Sequence, residues 1–431
     1  MTMHILPLSR LILLGIILAI FIHQISAIPP ASFSTRFKPH AKFNTHNTGS
    51  SKFKQRTSSD TSGISSCKYE IPSPLQNGST QIHKSIETPN KALSTKSLLP
   101  LDGPQSSKIN SSSFDWWYYD AVSSTDATES VTVTLFASSA TACPWLDASE
   151  SSVLIAYIWI SFANGSSFEG YVPATLATVS GGGLIGVASM GNWEGTGFSW
   201  VSIGDDFSDY EVIVDSDEMG IYGTLKLTTN LVPHLPCGIS SYVTTLEIEE
   251  DFGWANLIPD ANATVDMSVK GTSLQFQGRG YHDKNWSNKP FISSIDSWYW
   301  GHGELDGYSI VWFSGFSASN ATLGSTYVPK DGTVLVSICD TTKTIVRPTV
   351  TGSAANYPPV AGDTPDGFTV EIELAENEWL RLNVSIVNEV AGDGEYYLRW
   401  TGNLTGTVED GDTVRELKSG VAFFEQFALV E

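Results

Sequence analysis

FTVEIEL at 368–374 and LRLNVSI at 380–386 decide the fold class. In the first, Phe368, Val370, Ile372 and Leu374 alternate with Thr369, Glu371 and Glu373. In the second, Leu380, Leu382, Val384 and Ile386 alternate with Arg381, Asn383 and Ser385. A period of two places one set on a buried face and the other in water, which is the pattern of a half-buried β-strand. Outward from this pair, the same period predicts strands at 131–137, 153–162, 210–215, 221–229, 242–249, 272–282, 308–316, 333–338, 395–401 and 420–430. VPKDG at 328–332 and AGDG at 391–394 read as turns between them. GGG at 181–183 reads as a flexible turn, since no strand-to-helix context follows to make it a phosphate loop. No helical period is sustained beyond a few turns. So many strands exceed one compact sheet, and the expected fold is all-β with two antiparallel β domains, over 66–292 and 293–431.

The first residues read differently. Arg10 precedes an apolar run, Leu11 to Ile22, too short to span a bilayer at ~20 residues but fitting a secretory signal peptide, with Ser26 and Ala27 at a cleavage point near residue 27. Residues 28–65 read as a disordered or removable leader; 28–108 carries 11 Lys or Arg against 4 Asp or Glu, although the chain as a whole has a net charge of −22. Those basic charges are scattered and the body is strongly acidic, which argues against a nucleic-acid partner. Sequons at Asn77, Asn110, Asn164, Asn262, Asn285, Asn320, Asn383 and Asn403 agree with a secreted, soluble glycoprotein without a membrane span. Cys67, Cys143, Cys237 and Cys339 are widely spaced with no CxxC pair, so disulfides are expected, in a connectivity left open.

Two strings carry the chemistry: FDWWYYD at 114–120 and GRGYHDKNWS at 278–287, the latter followed by SWYWGHGELDGY at 297–308. Indole N–H, phenol and charged groups need partners when buried, so this density points to pocket walls. If 280–286 is extended, Tyr281, Asp283 and Asn285 share one face and His282, Lys284 and Trp286 the other. Likewise Asp115, Trp117 and Tyr119 oppose Trp116, Tyr118 and Asp120. The candidate acid–base groups are Tyr281, His282, Asp283 and Lys284. The candidate binding residues are Asp115, Trp117, Tyr119, Asn285, Trp298, Trp300, His302, Glu304, Trp312 and Trp400. Asn285 cannot both carry a glycan and line a buried pocket. His302 and Glu304 share a strand face, yet no third ligand spacing supports a metal, and no G-x-S-x-G elbow supports a serine hydrolase.

In order and spacing, the acidic-Trp-Trp-Tyr string, GxGYHDxNW and the WYWGHG strand resemble the carotenoid hydratase-like, lipocalin-like family that includes the fungal Diels-Alderases. With the signal and sequons, the chain is similar to its secreted hetero-Diels-Alderase branch of tropolonic sesquiterpenoid biosynthesis. The resemblance implies two β domains, the second a lipocalin-like barrel, with a pocket at or near their junction. It also implies a cofactor-free [4+2] cycloaddition on a bulky apolar polyketide or terpenoid, following dehydration to a quinone methide where the diene must first be made. The hydratase branch carries a second His where this chain has Lys284, which puts hydration by these residues in doubt. An acid–base hydratase or lyase, and a carrier of apolar ligands, stand as alternatives.

Overall fold

The computed structural model describes residues 67–85, 101–146, 151–184, 187–203, 207–239, 245–350 and 355–429. The expected signal peptide and the 28–65 leader lie outside these residues. Two antiparallel sheets account for the strands. A fifteen-stranded sheet is built from Cys67–Pro72 through Thr272–Ser287, and a ten-stranded sheet from Ile295–Leu305 through Gly420–Ala428. The chain passes from the first to the second between Ser287 and Ile295, through the 3-10 turn Phe291–Ser293. Residues 66–431 form one compact unit.

The motif strands sit at the centres of these sheets. Thr272–Ser287 runs between Phe252–Val269 and Phe114–Ser123, and Ile295–Leu305 runs between Tyr308–Ser317 and Gly420–Ala428. Tight hairpins fix two of these registers. Lys270 and Gly271 have φ of 49° and 85° between Val269 and its partner Thr272, while Asp306 and Gly307 have 49° and 81° between Leu305 and Tyr308. Positive φ at both central positions is the turn whose twist matches antiparallel strands, and Asp-Gly suits it.

Three apolar clusters follow from the alternation. The first, including Trp117, Trp193, Trp200, Tyr210 and Leu227, lies against one face of the larger sheet. The third, including Tyr299, Trp312, Phe368, Trp400 and Phe424, belongs to the smaller sheet. The second is shared: Phe114, Trp116, Tyr118 and Tyr281 come from one sheet, Trp298, Trp300, Phe423 and Phe427 from the other. Adjacent residues of one strand therefore feed different clusters.

Two sequence expectations are corrected here. The 181–183 glycines are not a turn but part of the strand Leu176–Leu184, where Gly181 pairs with Ser189 and the register then shifts; a β-irregularity uses the same glycine freedom that a turn would. Cys143 is not in a disulfide. Its thiol is free and buried in the shared cluster, and burial pushes its pKa up. Cys237 and Cys339 do pair, closing a separation of 102 residues.

Candidate functional site

The inner face of the motif strands holds a closed charge network. Lys284 Nζ donates to Asp115 Oδ1 at 2.8 Å and to the Gly103 carbonyl at 2.9 Å, and lies 3.3 Å from the centre of the Trp117 ring. His282 Nδ1 donates to the Tyr118 carbonyl at 2.9 Å, its Nε2 lies 3.3 Å from Asp102 Oδ1, and its ring stacks on Tyr119 at 4.1 Å. Tyr210 and Ser189 donate to the other Asp102 oxygen. Burial pushes the Asp115 carboxyl up and the Lys284 ammonium down, each opposed by the partner's charge. Asp102, Asp115, Trp117, Tyr119, His282 and Lys284 all have 0% exposure.

The opposite face is organised differently. Asp283 Oδ2 accepts from Trp254 Nε1 at 2.7 Å and from the Tyr281 hydroxyl at 2.9 Å, while Asn285 Nδ2 donates to Oδ1 at 3.3 Å. No cation pairs with it among the described residues. Burial raises its pKa to about 7, against the pull of those two donors, with the charges of Glu425 and Asp120 adding to the rise. Asp120 accepts from the Tyr118 hydroxyl at 2.6 Å and from His302 Nε2 at 2.9 Å. Arg399 pairs with Glu425 at 2.6 Å, and Trp298 Nε1 donates to the same carboxylate at 3.0 Å. Aromatic rings wall these groups: Trp300 meets Tyr118 at 5.8 Å and Tyr281 at 5.1 Å, and Trp298 meets Phe427 at 5.4 Å.

The inter-sheet face is sealed at Tyr281 and Asp120, with 0% exposure, and at His302, with 1%, but part of it keeps access. Trp116, Trp298, Trp300, Asp283, Arg399 and Glu425 retain 8, 7, 5, 4, 8 and 6%. That residual access, with half-buried Trp145, Tyr157, Tyr171 and Tyr397 packed against the same cluster, makes the inter-sheet face the candidate site.

The expected site residues thus divide. Tyr281, Asp283, Asn285, Trp298, Trp300 and His302 come together between the sheets, whereas His282, Lys284, Asp115, Trp117 and Tyr119 form the sealed network behind them. Trp312 and Trp400 lie in the core of the smaller sheet. Glu304 lines a separate polar groove of about 390 Å³ with Asp260, Arg279 and Ser309. Asn77, Asn164, Asn262, Asn320, Asn383 and Asn403 are exposed, and Asn110 and Asn285 are half-buried. Sequence reasoning missed Asp102, Trp254, Arg399 and Glu425. A lone carboxylate in the apolar strand Gly420–Ala428 was a usable signal for Glu425; Asp102 carried none.

Known proteins share this architecture. The solved structure of CghA superposes with a TM-score of 0.65 at 16% identity, covering 84% of this chain and 98% of CghA, a likeness of fold alone. The quinolone epoxide rearrangement protein asqO of Emericella nidulans is 32% identical over 326 residues, 74% of this chain and 84% of that protein. Its counterpart penF of Penicillium thymicola is 30% identical over 334 residues, 76% and 88%. A family model described as Diels-Alderase-like matches residues 79–362, a span that contains both motif strings and most of the inter-sheet face, and the chain belongs to the Diels-Alderase-like family.

Proposed function

We propose that this protein is a cofactor-free enzyme that takes a bulky apolar small molecule between its two sheets and rearranges its ring skeleton, with Asp283 as the acid. The carrying observation is a buried carboxyl without a cationic partner among the described residues, held protonated to about pH 7 among aromatic walls. Such a group can protonate a C–O oxygen at neutral pH, a contribution typically of 10² to 10⁴ in rate. Asp120 is already engaged as the acceptor of His302 Nε2 and the Tyr118 hydroxyl, and Glu425 is paired with Arg399, so neither competes for that role. The names of asqO and penF support epoxide opening as the step assisted.

A [4+2] closure is the second reading, favoured by Trp116, Trp298 and Trp300, whose faces can hold a diene and its partner in near-attack geometry. Both readings share one first step. Protonation of a C–O oxygen by Asp283 and cleavage of that bond leave a cation, which either rearranges or, where water has left, returns a proton to the Asp283 carboxylate and becomes a neutral heterodiene that cyclises. Maturation in the secretory pathway is part of the proposal, supported by the Cys237–Cys339 disulfide and the exposed sequons.

The test is Asp283→Asn assayed by chiral chromatography on a quinolone epoxide, a hydroxylated diene precursor and a preformed heterodiene. The first two reactions are expected to slow by about a hundredfold or more, and the third to keep its rate and stereochemistry. Undiminished turnover of the epoxide and of the hydroxylated precursor would remove Asp283 from the acid role.

A further inference from the structure

Trp300 and His302 stand two residues apart on the inter-sheet face of Ile295–Leu305, and each keeps one buried polar atom without a hydrogen-bond partner among the described residues. His302 Nε2 is committed to both Asp120 oxygens, at 2.9 and 3.0 Å. A carboxylate accepts, so Nε2 carries the hydrogen and Nδ1 presents a lone pair. Trp300 Nε1 is a donor only; it lies near the Tyr281 hydroxyl but does not reach bonding geometry. The strand face therefore offers one acceptor and one donor side by side, on rings whose centres are 5.6 Å apart.

Both rings are held in place. Tyr281 stacks on His302 at 4.6 Å and meets Trp300 at 5.1 Å, and Phe423 lies parallel to His302 at 6.1 Å on its neighbouring strand. Buried polar atoms are mostly paired in a folded chain; Tyr119 Oη and Trp200 Nε1 on the inner face also lack partners among the described residues, but only Trp300 and His302 set an acceptor and a donor two residues apart on the inter-sheet face, where one complementary group can meet both.

We infer that Trp300 and His302 read one edge of the ligand, an acceptor oxygen beside an N–H or O–H donor, as on a lactam or an enolised hydroxy-ketone. The oxygen accepts from Trp300 Nε1, and the donor gives its hydrogen bond to His302 Nδ1. Tyr281 joins this edge to the acid, because its ring packs on both readers while its hydroxyl donates to Asp283. This specificity rests on the reading that the inter-sheet face binds the substrate, and it names the substrate class.

The test is calorimetric titration of the full chain with 2-quinolone, which has N–H beside C=O, and with coumarin, where a ring oxygen replaces the N–H at nearly the same size. 2-Quinolone is expected to bind about tenfold tighter or better, because coumarin turns a lone pair toward His302 Nδ1. Trp300→Phe should weaken both ligands by a similar factor and keep their ratio. The probe ratio is read on the native chain without turnover, so failure of the acid role, read in the Asp283→Asn assays, and failure of this recognition are separate outcomes. Equal affinity for the two probes, or binding of neither, overturns the inference, as does a structure in which a water bridging Nδ1 and Nε1 survives saturation with 2-quinolone. Should Trp300→Phe fail to fold, the probe ratio on the native chain still decides.

Discussion

Phe114–Ser123 and Thr272–Ser287 carry two chemistries back to back. On the inner face Lys284 meets Asp115 and His282 meets Asp102, the hydroxyls of Tyr210 and Ser189 complete the network, and exposure is nil. On the inter-sheet face Asp283 has donors but no cation, and Trp300 Nε1 and His302 Nδ1 stand unpaired among the described residues. The residues are of the same types; their compensation differs. Where every charge is matched the network holds the strands and pins the 101–106 segment, through Lys284 to Gly103 and Trp117 to Asp102. Where one carboxyl is left unmatched, its proton becomes available for chemistry.

The sharpest way to break this comparison is to strip compensation from the inner face. Lys284→Met leaves Asp115 buried without its counter-charge, a change that typically costs about 3 to 5 kcal/mol. Denaturant melts should show that loss. The double variant Lys284→Met, Asp115→Leu should recover much of it, because replacing both partners by apolar groups is commonly near neutral. A single variant that melts like the native chain would show that the inner network is not what holds these strands.

The alternation of FTVEIEL made strands legible because burial acts on every second residue, and the same period sorts the 278–287 string into its two faces. Alternation does not say which face water reaches. That depends on what packs opposite, and the packing is set by long-range pairing: His282 meets Asp102 across 180 residues, and His302 meets Asp120 across 182. Trp400 drew attention for its size, but its strand neighbour Arg399 is the one that turns between the sheets to meet Glu425. Cys143 looked like a disulfide partner by number alone. Its surroundings in the shared cluster decide otherwise.

A second prediction sharpens the contrast through pH. The folded pKa of Asp283 is about 7, above the ordinary 3.8, so between those values the folded state holds a proton that the unfolded chain has released. Stability must then fall as pH rises across that window, by on the order of 4 kcal/mol at most, and level off above it. Asp283→Asn removes this contribution. Native minus variant stability should therefore fall from pH 4 to 7, while Asp115→Asn should destabilise across that window by leaving Lys284 unpaired. A flat difference for Asp283→Asn would mean that the carboxyl is ionised in the folded protein throughout.

The smallest expected effect compares two tyrosines on opposite faces. Tyr281 donates to Asp283 Oδ2, a bond that favours the carboxylate and holds its pKa down against burial. Tyr281→Phe removes the donor while keeping the ring that stacks on His302, so the Asp283 pKa should rise by up to about one unit, the scale of a hydrogen bond to a charged group. The alkaline limb of the rate profile, where the acid is lost, should move up by the same amount. Tyr119 has a buried hydroxyl with no partner among the described residues, so Tyr119→Phe should leave that limb in place and change stability by no more than about 0.5 kcal/mol, of either sign. If both variants shift the limb equally, the two faces are coupled through the strands, and the sealed network takes part in setting the acid; if only Tyr281→Phe does, the acid is tuned entirely from the inter-sheet side.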